Sequence, residues 1–160
     1  MSDEEEDPMA TDRSYVTENQ TQLARLEALV SKLSDRELSR PLEAGWTVAG
    51  VLAHLAFWDY RIVTLLDAWG ADGRGTPPPA NHEAAVNWIN DAGKPLCLGL
   101  PPRTAARMAL DAAMAADQRV ATLTDTALAA NTAAGSPISV RRAEHRREHL
   151  DEIERALARR

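Results

Sequence analysis

The chain has 160 residues, enough for one domain with a sizeable core. Hydrophobic residues make up 44% and charged residues 26%, a globular balance rather than a disordered one. The net charge of −6 argues against a nucleic-acid footprint, and no apolar run approaches the roughly 20 residues of a membrane span.

Residues 1–11 read as a disordered acidic tail, because Asp3-Glu4-Glu5-Glu6-Asp7 and Pro8 offer nothing to bury. An acidic start is also unlike the basic-then-apolar pattern of a secretory signal. Residues 12–160 are expected to form one domain. The first helix is expected from Asp12 to Leu33, with Val16, Leu23, Leu26, Val30 and Leu33 as its apolar stripe. Asn19 interrupts that stripe, either because the helix end frays into solvent or because it faces a polar cavity. Pro41 and Gly45 break the connection that follows. A second helix is expected after Thr47, a credible N-cap, burying Leu52, Leu55, Ile62, Leu65, Leu66 and Trp69 and ending at Gly70 and Gly73.

Ala71 to Ala80 reads as a flexible loop, Asn81 to Asn90 as a short helix capped by Asn81, and Ala92 to Pro101 as irregular. The lone cysteine, Cys97, falls in that irregular stretch; it leaves no intrachain disulfide and fits a reducing cytoplasm. The third long helix is expected from Pro102 to Ala129. Its seam of small residues (Ala106, Ala109, Ala113, Ala116) suits close helix packing or room for a ligand. The last helix is expected to begin at Ser136-Pro137, a cap followed by proline. No sustained alternation marks a strand. The pattern predicts an all-α, up-down four-helix bundle with a long crossover between helices two and three.

The chemistry concentrates on three histidines. His145 and His149 are four apart on the last helix, about 40° and about 6 Å of rise from one another, so both imidazoles leave one face. Two such nitrogens can share one metal ion, and His54 on the second helix can supply a third ligand where the two helices pack. On the last helix Ile138, Arg142, His145, His149, Ile153 and Ala156 share a stripe. A core-facing stripe that turns from aliphatic to polar needs partners, since an unpaired buried polar group costs about 1–3 kcal/mol. His54 shares its face with Val51, Trp58 and Arg61. Against this, an H-x-x-x-H pair alone is a weak motif, and arginines and glutamates around it also describe a solvated face. Asn19, Trp58, Arg61 and Arg142 are candidate pocket-lining residues, and Glu148 and Glu152 are placed to orient His145 and His149 from behind. His82 is expected to be a plain loop residue. Three imidazoles suit zinc, nickel or iron. Occupancy should fall below about pH 6 as imidazoles protonate.

Trp46-Thr47-Val48 leading to Ala53-His54-Leu55, and His145-Arg146-Arg147-Glu148-His149-Leu150 followed by Ile153, resemble the DinB-like superfamily of metal-binding four-helix bundles. The order of parts is also similar from about Asp12 onward. The resemblance implies a metal held by His54, His145 and His149. It also implies chemistry with a low-molecular-weight thiol such as mycothiol or bacillithiol, as in the family's transferases and isomerases. A mycothiol-dependent isomerase branch carries glutamate at the first ligand position of the last helix; His145 here is closer to the all-histidine branch. The expected function is a thiol-dependent transferase or isomerase acting on a small electrophile. The alternatives are a non-catalytic metal- or ligand-sequestering bundle and a purely structural bundle. The resemblance further implies a homodimer, with any exposed tryptophan as a candidate interface residue.

Overall fold

The computed structural model describes residues 10–70, 75 and 78–159. Residues 1–9 of the expected acidic tail, and Gly73 with most of the Ala71–Ala80 loop, lie outside them. The described residues form seven α-helices and no strand: α1 (Ser14–Lys32), α2 (Asp35–Leu38), α3 (Val48–Trp69), α4 (Glu83–Gly99), α5 (Pro102–Ala121), α6 (Asp125–Ala133) and α7 (Arg142–Ala158).

α3 is the central element. It packs along α5 and against α4 and α7, while α1 packs against α5 and α7. Thr47 caps α3 as expected, its hydroxyl accepting from the Gly50 amide at 3.0 Å, and Gly70 ends the helix with φ 90°. Among the described residues α3 alone has the length and apolarity of a membrane span, which corrects the expectation that no apolar run approaches one, but 61% of that window is buried inside the fold. Its apolar face is therefore already used as core. One buried cluster joins Leu26 and Leu33 of the α1 region, Val48, Leu52 and Leu55 of α3, Ala106, Ala109 and Ala113 of α5, and Leu150 and Ile153 of α7. A second gathers Tyr15, Ile62, Leu66, Trp69, Val120, Leu123 and Ile138. The alanine seam of α5 is closed by this packing, with every alanine in it buried. It brings helices together rather than leaving room for a ligand.

Several expected boundaries move. The connection after α1 contains α2, closed by a capping box in which Ser34 and Glu37 satisfy each other's backbone amides. The third long helix breaks at Thr122-Leu123, and Thr124 caps a separate α6. Arg13 fastens the break by donating to the Leu123 carbonyl at 2.8 Å and to Asp125 at 2.6 Å. α4 is capped by His82, whose Nδ1 accepts from the Ala85 amide at 3.2 Å, not by Asn81. It also runs on through Gly93 and Pro95, where an irregular stretch is expected. Proline removes one helical hydrogen bond. Contacts to α3 and its N-terminal approach on both sides of Pro95 offset that loss. Asn90 accepts from Trp58 Nε1 at 2.9 Å, and Lys94 donates to the Ala44 carbonyl. The Leu98 side chain packs over Gly50, 2.8 Å from where a Cβ there would lie, so a larger residue would make Leu98 shift. α4 contributes no buried residue, and its Trp88 is 72% exposed.

The last helix starts at Arg142, not at Ser136-Pro137. Two asparagines explain the shift. Asn131 pairs with both backbone groups of Ile138 at 2.9 Å, holding that segment out of helix. Asn19 of α1 then supplies the missing cap from a distant part of the chain. Its carbonyl accepts from the Ala143 amide at 2.8 Å, and its amide donates to the Val140 carbonyl at 2.9 Å. Asn19 is thus buried inside the α1–α7 contact and neither frays nor lines a cavity, correcting both expectations for it. Asn19→Ala should cost about 1–2 kcal/mol by orphaning the Ala143 amide. Thermal melts check the loss, and hydrogen exchange should localise it to the first turn of α7.

Candidate metal centre

α3 and α7 carry the centre. His54 lies one turn and a half into α3, on the edge that leaves the core; His145 and His149 lie one turn apart on α7. The register of α7 follows from its buried face, Arg142, Ala143, Arg146, Leu150 and Ile153, which leaves the two histidines turned toward α3. The three ring centroids stand 4.8–5.0 Å apart, and the three ligand nitrogens all fall within 4.8 Å of one another. The Nε2 atoms of His54 and His145 approach to 3.0 Å. Two lone pairs at that separation repel unless a proton or a cation lies between them. His54 is 8% exposed and the other two are half-buried. The residues present therefore fit a metal: three imidazoles that one ion can reach, on two helices held by a shared core.

Electrostatics keeps two of these rings neutral. Burial pushes His54 from 6.5 down to about 4, with His149 adding repulsion. Burial pushes His145 down to about 2, helped by His149, His54 and the nearby Arg142 and Arg146. Neutral rings are the ligating form. Below pH 6.5 the unfolded chain protonates both histidines, whereas the folded chain does not protonate His54 until about pH 4. Folded-state stability of the metal-free protein should therefore fall as pH drops from 6.5 toward 4. Thermal melts of wild type and His54→Gln across that window check this: the variant should show a shallower decline.

Glu152 orients His149. Its Oε2 lies 3.1 Å from His149 Nδ1. A carboxylate only accepts, so Nδ1 carries a proton toward Glu152. Glu148 lines the same cleft but is exposed, and Glu152 is the carboxylate that meets a ring.

The histidines open into a cleft of ≈ 990 Å³ between α3, α4, α7 and the turn before α3, within the range of small-molecule sites. Trp46 and Trp58 form its aromatic walls, each edge-on to His54 at 5.6 and 6.5 Å between centroids. Val86, Asn90 and Lys94 of α4 face them, with Lys94 5.2 Å above the Trp46 ring. Glu43, Asp91, Glu148 and Glu152 add carboxylates to the lining. Of the expected lining residues, Trp58 and Arg142 are here. Arg61 is not: its guanidinium stacks 5.5 Å over the Trp58 ring, outside the cleft, and Asn19 is buried elsewhere as described. Cys97, on α4, packs against the core, where burial pushes its thiol up, away from reactivity.

Beneath the histidines lies a feature the sequence reading missed. Arg146 is 1% exposed and its guanidinium is saturated. It pairs with both oxygens of Asp117 at 2.7 and 2.8 Å and reaches Asp59 at 3.2 Å and the Ala113 carbonyl at 3.3 Å. Arg142 Nε donates to the other oxygen of Asp59 at 2.8 Å. The signal was present: Asp59 falls on the α3 stripe between Leu55 and Ile62, and Asp117 on the α5 stripe between Ala113 and Val120. The α4 contribution was missed because the expected helix stopped at Asn90.

The all-α fold brings three imidazoles together at the base of a cleft, a donor set compatible with a metal ion. A family model described as the DinB superfamily matches residues 18–153, and the chain belongs to that superfamily. No curated protein and no solved structure matches it.

Proposed function

We propose that the protein holds a divalent cation on His54, His145 and His149 and transfers a low-molecular-weight thiol to a small electrophile. The observation that carries the reading is the trio of imidazoles, two of them neutral well below pH 6, facing a ligand-sized cleft. Bound there, a divalent ion would supply a positive charge that lowers the pKa of a thiol or water beside it.

The chain's own residues supply the rest. Three protein ligands are the number found at catalytic rather than closed structural sites. Glu152 fixes the face that His149 presents. Trp46 and Trp58 offer apolar surface to the carbon skeleton of a substrate and exclude water from one side of the rings. Asn90, fixed by Trp58, and Lys94, fixed by the Ala44 carbonyl, place polar groups on the opposite wall. Cys97 takes no part, so the thiol comes from a cosubstrate, with mycothiol and bacillithiol as the candidates that family membership suggests.

Elemental analysis of tag-free protein tests the first half of the proposal. Near-stoichiometric zinc, nickel or iron supports it and leads to a screen of thiols against electrophiles. Metal without turnover across that screen would favour the sequestering alternative. Protein that carries no metal and takes none up would defeat both.

A further inference from the structure

His145 is flanked on α7 by two arginines, three residues before it and one after it. A pair of cations is a poor setting for a site that must attract another one. Arg142 lines the same cleft as the three histidines. Yet the chain places the two arginines against two aspartates on the other helices. Asp59, on the helix that carries His54, takes Arg142 at 2.8 Å and Arg146 at 3.2 Å; Asp117 of α5 takes Arg146 at 2.7 Å. All four side chains are buried. Two positive and two negative charges sum to zero, in a medium where water screens them little.

We propose that Asp59 and Asp117 are electrostatic positioning residues of the metal centre, holding Arg142 and Arg146 neutralised as a set so that a dication can approach His145. Asp59 does this while tying the two ligand-bearing helices together. The inference rests on the divalent-cation reading above.

The sign of the charge separates this role from a purely structural one. Zinc affinity of the full chain is measured by competition with a chromophoric chelator, with circular dichroism on every variant. Asp59→Asn leaves one net positive charge behind the imidazoles and should weaken zinc about tenfold or more. Arg142→Gln leaves one net negative charge and should tighten zinc by a similar factor. The double substitution should return to within about twofold of wild type. If Arg142→Gln weakens zinc as Asp59→Asn does, the pairs act through geometry alone and the proposal is overturned. Unchanged affinity in both variants overturns it equally. Should Asp59→Asn fail to fold, Arg142→Gln decides alone, because only the charge argument predicts tightening. Wild-type protein that binds neither zinc, nickel nor iron overturns the metal reading itself, and this inference with it. Zinc binding in the wild type, with both variants weakened, overturns only the inference.

Discussion

Replacing Arg146 with alanine should be among the most damaging single changes in this chain, costing about 3–5 kcal/mol. The side chain is buried and uses its donors on two carboxylates and two backbone carbonyls. Truncation leaves Asp117 without a cationic partner in a place where burial already raises its pKa, and it takes one of two cations from Asp59. Cavity formation adds to the loss. In a protein of this size the cost corresponds to a melting temperature lower by roughly 10 °C. Thermal unfolding followed by circular dichroism checks the size of the effect. A shift under about 2 °C would mean that the buried pairs are isoenergetic with their absence. A combined Arg146→Met, Asp117→Leu variant should recover a large part of the loss, because removing both partners avoids stranding a buried charge.

Replacing His149 or His54 with alanine should abolish near-stoichiometric metal binding while leaving most of the helicity. A protein losing one of three ligands should lose more than about 100-fold in affinity, beyond the range for partners that only orient a ligand. The fold should survive because neither residue belongs to the buried clusters: α7 is anchored by Leu150 and Ile153, α3 by Leu52, Leu55 and Ile62. Elemental analysis with far-UV circular dichroism reads both quantities on one sample. Metal retained at wild-type level in either variant would place the ion elsewhere. Wholesale unfolding would make the ion a structural staple instead.

The helical character and the histidine constellation were legible because both rest on local periodicity. The four-residue spacing of His145 and His149, and the caps at Thr47 and Gly70, depend on neighbours within a turn. The features that escaped depend on partners far along the chain. Asn19 looked like a frayed or cavity-facing residue because its role is to cap α7, 124 residues away. Arg146 looked like one charge among many on a polar helix because both its aspartates lie on other helices. Ala92 to Pro101 read as irregular because the contacts that hold α4 together belong to α3 and the turn before it. In each case the local rule held, and a tertiary contact outweighed it.

The ligands that form the centre are separated by 91 residues between His54 and His145. A ribosome adding about 5–20 residues per second exposes His54 roughly 5–20 s before the first α7 ligand exists. Until then the nascent chain presents only one of the three candidate ligands. Even afterwards, the long loop between the ligands must be ordered before a third donor can join the α7 pair. On the proposed metal reading, capture would report on completed folding, and an interrupted or misfolded copy of the chain would compete poorly for the ion.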